Sequence, residues 1–370
     1  MSDSQPVDLR FLSQEHALEA GVVDMDRCVD AITYAFDLYN QGRVIMGDSG
    51  HSIHGHVTTF PGELSEKEDV EAGGPDRRFS AMPAYVGGDV HAMGIKWYGS
   101  NVNNPAERGI PRSIHTITLN DPDSGQPVCL MDGQVVSAMR TGAVAGMGAD
   151  CIQGDRATTA TILGPGVIGQ TSALGLDAAL DSLDTINVYH PELHKAEAFE
   201  SAIREDVDAD VEPTDLAAAS VSSADVTVVA AAGSPPPAIE PEWLGDDSLV
   251  IPLGDLRVPL EAFDRDRVFC DIPRNTLEFA RNLDWAVTNA LAAAVDGDDG
   301  LDFDRADLRA IHDVVAGVDT DSTAGTSIFY SPGLPMEDVA WASRVYETAE
   351  REDVGQELRL FSEPYFRKPY

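Results

Sequence analysis

Three glycines with G-x-G-x-x-G spacing, Gly164, Gly166 and Gly169, sit in the stretch TATILGPGVIGQ, after an apolar, β-branched run and before a helix-forming one. That context suits a dinucleotide. The first glycine permits a tight turn and the second lets a pyrophosphate approach the backbone. The third lets helix and strand pack closely, with Val167 and Ile168 at a helix N-terminus that faces the phosphates. The same spacing also serves a plain strand-to-helix turn, so the surroundings decide. A dinucleotide site places an acid roughly 20 residues on, at the end of the next strand, to hold the ribose 2′-hydroxyl. Here that strand, TINVYH, ends at His190, with Pro191 and Glu192 after it. Glu192 would suit NAD, whereas His190 with Lys195 would accept the 2′-phosphate of NADP, and both stay open. Ala231, at the end of ADVTVVAA, joins them as a cofactor-binding candidate.

Three more residues carry chemistry if the fold gathers them. Lys96 lies in the apolar setting HAMGIKWYGS, in a chain whose only other lysines are Lys67, Lys195 and Lys368. Arg140 lies in SAMRTGAVAG, and Asp255 follows the very apolar run SLVIPL. Each has a plain structural explanation: Lys96 paired with an acid such as Asp89, Arg140 in a helix salt bridge, Asp255 as a helix cap. Asp255 at the C-terminal edge of a sheet equally suits an acid/base.

The elements that would position these residues fall into two groups. From about residue 157, β-rich runs (ATTATIL, TINVYH, ADVTVVAA, SLVIPL, RVFCDI) alternate with helical stretches at intervals suited to βαβ units, which implies a parallel, doubly wound sheet. Before it, VDMDRCVDAITYAFDLYNQG spaces Val23, Cys28, Ile32 and Phe36 as a helix face. FSAMPAYV, VHAMGIKWYG and SIHTITLNDPDSGQPVCLMDG read as antiparallel strands, with a hairpin at DPDSGQP. The expected organisation is an α/β chain: a Rossmann-type domain over 145–318, and an α+β substrate and dimerisation domain from 1–144 with 319–370. The stretch 63–78 reads as an exposed loop.

Composition narrows the class. The chain has 370 residues, enough for two cores, with 63 acidic against 25 basic residues and a formal charge of −38. Acids spread along the whole chain repel nucleic acid and anionic membranes and fit a surface adapted to molar salt. No apolar run reaches membrane-spanning length, and the first residues lack a signal-peptide core. Cys28, Cys129, Cys151 and Cys270 form no CxxC, which argues against a zinc site and fits a reducing cytoplasm.

The order of these segments resembles the ornithine cyclodeaminase/μ-crystallin family over nearly the whole length. The carrying stretches are GIKWYGSNVNNPAERGIPRSIHTITLNDPDSGQPVCLMDGQVVSAMRTGA, ILGPGVIGQ, GDLRVP and SIFYSPGLPMEDVAWA. GPDRRFSAMPAYVGG and GIKWYGSN are similar in particular to the family's tyramine oxidase branch. The resemblance implies a homodimer that transfers hydride between NAD or NADP and the α-carbon of an amino or imino acid, as an oxidoreductase or a cyclodeaminase. It implies Lys96 at the substrate carboxylate and reacting centre, Arg140 near cofactor phosphate and substrate, and Thr116 near the nicotinamide. Asp255 is the implied acid/base, and Ser331 the implied neighbour of the nicotinamide.

Departures from the family pattern matter as well. Val167 and Ile168 replace the usual alanine and glutamine. The early arginine that clamps the substrate carboxylate has no clean counterpart, leaving Arg43, Arg77 or Arg78. The acid that holds the ornithine side-chain amine falls at Ser80. Burying an ammonium without a carboxylate is costly, so ornithine is disfavoured against a substrate with an uncharged side chain, for which Phe79, Met82, Tyr85, Trp97 and Tyr98 offer apolar surface. The alternative is a non-catalytic NAD(P)H or small-ligand binder, or an accessory subunit of an amine oxidase. A proton relay through Lys96, Arg140 and Asp255 would be superfluous there.

Overall fold

The computed structural model describes residues 6–47, 52–60, 77–231, 235–282, 285–297, 307–320 and 324–365. Most of the expected loop, 63–76, lies outside them, while Arg77 and Arg78 already belong to a strand.

The first group of strands comprises β1 (Val7–Leu12), β2 (Val44–Ile45), β3 (His56–Thr58), β4 (Arg77–Val86), β5 (Ala92–Asn101), β6 (Ser113–Asn120) and β7 (Pro127–Asp132). The β4–β7 meander is antiparallel throughout, and β1 runs parallel to β7. The DPDSGQP hairpin forms as expected between β6 and β7. Asp121 Oδ1 accepts the Asp123 N–H at 2.9 Å and Oδ2 the Ser124 hydroxyl at 2.6 Å, while Gly125 takes the left-handed position at φ +74°. The helix Met25–Asn40 buries Cys28, Ile32 and Phe36, packs on the helices Gln134–Ile152 and Pro335–Glu352, and is capped by Asp24. Val23 precedes the cap and is half exposed, so it is not part of that face.

The second group comprises β8 (Thr159–Leu163), β9 (Thr185–Tyr189), β10 (Asp210–Thr214), β11 (Val226–Val229), β12 (Leu249–Pro252), β13 (Val268–Cys270), β14 (Leu308–Ala310) and β15 (Ser327–Tyr330). They form one parallel sheet in the order β10-β9-β8-β11-β12-β15-β13-β14. This is the expected doubly wound arrangement, with order reversing beside β8. One element departs from expectation. β15, which the sequence assigned to the returning 319–370 segment, inserts between β12 and β13 in this sheet. All four of its residues are buried, and a continuous apolar run needs neighbours on both edges and both faces. The return to the first sheet begins only after Tyr330. The helix Pro335–Glu352 packs on β4 and β5 and on Met25–Asn40, and β16 (Gln356–Phe361) then pairs antiparallel with β1.

The two sheets are joined by the helix Gln134–Ile152, which leaves β7 and lies on Val167–Ala179, the helix that follows the glycine loop. Backbone touches backbone there: a Cβ on Gly142 would lie 2.0 Å from Thr171 O, and one on Gly175 2.1 Å from Gly142 O. The helix that carries Arg140 is thereby locked to the helix that carries the glycine loop. Among the described residues no helix is long and apolar enough to cross a membrane, and no cluster of His, Cys, Asp and Glu is arranged to hold a metal.

Candidate active site

A cleft of about 220 Å³ opens between the two sheets. Strand alternation decides which residues of the meander reach it. In register, Met82 lies beside Lys96 and Lys96 beside Ile117, and on the same face Ser80, Tyr98 and His115 form the neighbouring row. Arg78, Met82, Lys96, Tyr98, Ser113 and His115 line the cleft from this side. The helix Gln134–Ile152 adds Ser137, Arg140 and Thr141. The second sheet adds Ile168, Leu253, Tyr330 and Ser331 from the C-terminal ends of its strands.

Period-two alternation overturns several expectations. Thr116 lies one residue from His115, so it faces the opposite side, exposed, with its hydroxyl on Trp97 O at 3.3 Å. Phe79 and Trp97 share that outer face, stacked at 6.0 Å, and Tyr85 also lies outside the cleft lining. Of the five apolar side chains expected at the substrate, Met82 and Tyr98 are the two that reach it. Ser80 is on the inner face but wholly covered beside Tyr98, and it does not line the cleft.

Lys96 is only 2% exposed and is not paired with Asp89, which instead bonds Arg344 at 3.0 Å. Its ammonium lies 2.6 Å from Asp338 Oδ2 and donates to Ser137 Oγ at 3.2 Å. Arg140 donates through Nε to Asp338 Oδ1 at 3.2 Å and through Nη1 to Glu337 Oε2 at 2.7 Å. Two cations and two carboxylates thus form a buried tetrad, with both acids in the first turn of Pro335–Glu352, where the helix dipole favours negative charge. Burial would raise Asp338, but Arg140 and Lys96 outweigh it and hold it below the usual carboxylate range. Glu337 has the weaker share: burial pushes it up to about 7. Burial also pulls Lys96 down, only partly offset by Asp338.

Two histidines complete the wall. His54 comes from the turn before β3, and its Nδ1 lies 2.9 Å from Gly333 O. A carbonyl only accepts, so Nδ1 carries the hydrogen. Burial pushes both His54 and His115 down to about 4, which keeps them neutral. Among the described residues lining the cleft there is no carboxylate.

The glycine loop fits a dinucleotide on its own geometry. Gly164 has φ +115°, and a Cβ there would fall 2.8 Å from Ala231 N, so Ala231 closes the turn from β11. A Cβ on Gly169 would fall 2.1 Å from Gly164 O, so helix and turn require glycine. Around Gly166 nothing lies within 4 Å of that position, so the backbone is open to a ligand at the N-terminus of Val167–Ala179. Val167 is exposed there and Ile168 lines the cleft. At the end of β9, His190 Nδ1 accepts the Glu192 N–H at 2.9 Å, and Lys195 forms an ion pair with Glu192.

Asp255 departs from its expected role. It lies outside the cleft lining, and its Oδ1 accepts the Ala286 N–H at 2.7 Å, holding the first turn of Ala286–Asp296. The helix it holds begins 31 residues further on, so tertiary packing brings its free N–H groups to this carboxylate. Sequence reasoning missed Glu337, Asp338, His54 and His115. The acid pair was visible in SPGLPMEDVAWA, inside an apolar helix face where carboxylates are out of place. Nothing local marks the histidines.

A doubly wound sheet with a glycine loop, facing a cationic cleft built on a second sheet, defines a two-domain α/β protein of the dinucleotide-binding type. The chain belongs to the ornithine cyclodeaminase/mu-crystallin family, whose profile matches residues 21–353. It is similar to N-((2S)-2-amino-2-carboxyethyl)-L-glutamate dehydrogenase of Staphylococcus aureus, 26% identical over 96% of this chain and 99% of that protein. Among solved structures it resembles Δ1-pyrroline-2-carboxylate reductase of Thermococcus litoralis in complex with NADH and L-proline. The TM-score is 0.73 at 20% identity, over 94% of this chain and 99% of that one. An archaeal alanine dehydrogenase dimer with bound NAD matches at TM-score 0.73 and 22% identity, over 96% and 100% of the two chains.

Proposed function

We propose that this protein is an NAD(P)-dependent oxidoreductase that moves hydride at the α-carbon of an amino or imino acid whose side chain carries no positive charge. The observation that carries this reading is the cleft lining: Arg78, Lys96 and Arg140 face the open glycine loop, and among the described residues no carboxylate joins them in lining the cleft. When bound, a nicotinamide would supply or take the hydride. Gly164, Gly166, Val167, Ile168 and Gly169 would hold its pyrophosphate, and Ala231 and Ser331 would border it. Glu192, already holding Lys195, favours a ribose hydroxyl over a 2′-phosphate, hence NAD over NADP.

Arg78, Lys96 and Arg140 would receive the substrate α-carboxylate. Asp338 and Glu337 keep the last two in place without reaching into the cleft, so the carboxylate meets donors only. The buried ammonium of Lys96, with its lowered proton affinity, would pass a proton at the reacting centre. A distal ammonium such as that of ornithine would find neutral imidazoles and hydroxyls instead of an acid, at a cost of several kcal/mol. The resemblance of GPDRRFSAMPAYVGG and GIKWYGSN supports the tyramine oxidase branch as the subgroup, and the formal charge of −38 supports a halophilic protein. The outer face of the first sheet, with Phe79, Trp97 and Ile114 exposed together, suits a second copy of the chain.

The test is a panel of amino acids and cyclic imines, assayed at molar KCl by absorbance of the reduced nicotinamide, with ornithine included. Turnover of an imino or amino acid with an uncharged side chain, lost in Lys96→Met, is expected. Rapid conversion of ornithine to proline and ammonia would overturn the substrate assignment, and no turnover of any member would return the protein to a binding role.

A further inference from the structure

Behind Ser331 lies a carboxylate that the proposed reaction does not use. Asp271 follows β13 directly, is wholly buried, and donates its backbone N–H to Tyr330 O at 3.3 Å. Its Oδ1 accepts from Ile272 N at 2.5 Å and from Thr276 Oγ1 at 3.4 Å, which ties the carboxylate to the entry of the helix Pro273–Asn282. That local tie does not account for Oδ2. That oxygen accepts from Asn275 Nδ2 at 3.1 Å and from the Ser331 hydroxyl at 3.3 Å.

The consequence is for Ser331. A serine hydroxyl has one proton to give and two lone pairs. The proton goes to Asp271, and one lone pair takes the Gly333 N–H at 3.4 Å. What Ser331 offers the cleft is therefore a lone pair, an acceptor and not a donor. The turn that carries it is pinned from the other side as well, through His54 on Gly333 O.

We infer that Asp271 is a positioning residue that fixes Ser331 as a hydrogen-bond acceptor for the amide N–H of the cofactor's carboxamide. The inference rests on the nicotinamide binding proposed above. A ring whose carboxamide is replaced by an acetyl group has no N–H to give and gains nothing from that lone pair.

Asp271→Asn keeps the shape. Its amide oxygen stays on Ile272 N, which leaves NH2 facing Ser331, and the serine must then turn its proton outward. The experiment is fluorescence titration of NADH and of the reduced 3-acetylpyridine analogue at molar KCl. The wild type should prefer NADH at least tenfold. That preference should disappear in both Asp271→Asn and Ser331→Ala, and combining the two should add nothing.

The wild type gives a second readout that needs no variant of Asp271. Burial pushes Asp271 up to about 7, and once protonated it can donate to Ser331, so the preference should weaken as pH falls through that value. The titratable or charged groups around Asp271 are Glu337, Tyr330, Tyr39 and Arg274. Of these Glu337 also titrates near 7, so the trend should persist in Glu337→Gln and vanish in Ser331→Ala. An NADH preference unchanged in a folded Asp271→Asn, or flat with pH in the wild type, overturns the inference while leaving the proposed function intact. Failure of the wild type to bind NADH overturns both.

Discussion

The second sheet is covered on both faces, and its strands read as continuous apolar runs; β8, β11, β12 and β15 are almost wholly buried. The first sheet has one face on the cleft and helices and another in solvent, where Phe79 is 38%, Trp97 47% and Ile114 50% exposed. The two also offer different means of binding. The glycine loop offers backbone at a helix N-terminus and lies within one short stretch of chain. The first sheet offers charged side chains that must be neutralised from elsewhere, and it borrows Glu337 and Asp338 from a helix about 240 residues further along the chain than Lys96. A site made of backbone is local in sequence, whereas a site made of buried charge is not, because each cation needs a counter-ion that local sequence does not supply.

The largest effect should come from breaking that counter-ion set. Removing one partner of a buried pair costs about 3–5 kcal/mol, because the remaining charge is left uncompensated. Asp338→Asn strands Lys96, leaves Arg140 on Glu337 alone, and should lower the unfolding free energy by that amount in urea titrations at molar KCl. A loss below about 1 kcal/mol, the scale of an exposed pair, would mean that water reaches the tetrad and that the two sites differ less than described.

The glycine loop should respond in the opposite way, and it separates binding from stability. Gly166→Val projects into open space, so it should abolish NADH binding with little change in melting temperature. Gly169→Ala puts a Cβ against Gly164 O and should destabilise the fold by about 1–3 kcal/mol, as overpacking does. Unaltered NADH binding in Gly166→Val would make the loop a structural turn.

The exposed face of the first sheet gives the third contrast. Trp97→Asp places a charge in the middle of it while leaving Lys96 and Tyr98 on the far side. Light scattering should move from a dimer to the 39.6 kDa chain, whereas an equivalent exposed substitution on the second domain, Leu216→Asp, should leave the mass unchanged. A wild type that already scatters as one chain would remove the dimer.

The smallest effect is in pH. The folded pKa of Glu337 is raised to about 7, above the ordinary carboxylate value of about 4.3. The stability associated with its protonated form is therefore complete below the unfolded pKa and is lost as pH rises through the folded one. Between roughly pH 4.5 and 7 this group alone should make stability fall as pH rises. Glu337→Gln should flatten that fall, and parallel slopes for variant and wild type would show that Arg140 keeps the acid ionised throughout.

Much of this protein is legible without coordinates, for a physical reason in each case. The alternation of apolar strand and amphipathic helix announces a parallel sheet, since both depend on neighbours within a few residues. The loop at Gly164, Gly166 and Gly169 and the hairpin at Asp121 are legible because backbone geometry is dictated locally. Lys96 stood out because a lysine in an apolar strand needs a partner. Which partner, Asp338 and not Asp89, was decided only when Pro335–Glu352 folded back across β5. The slot for β15 between β12 and β13, the outward face of Thr116 and the covering of Ser80 were likewise set by register and by long-range pairing. So was the hold of Asp271 on Ser331. Local propensity determines an element and its periodicity; which of its faces meets which charge is settled by the packing of segments that are remote in the chain.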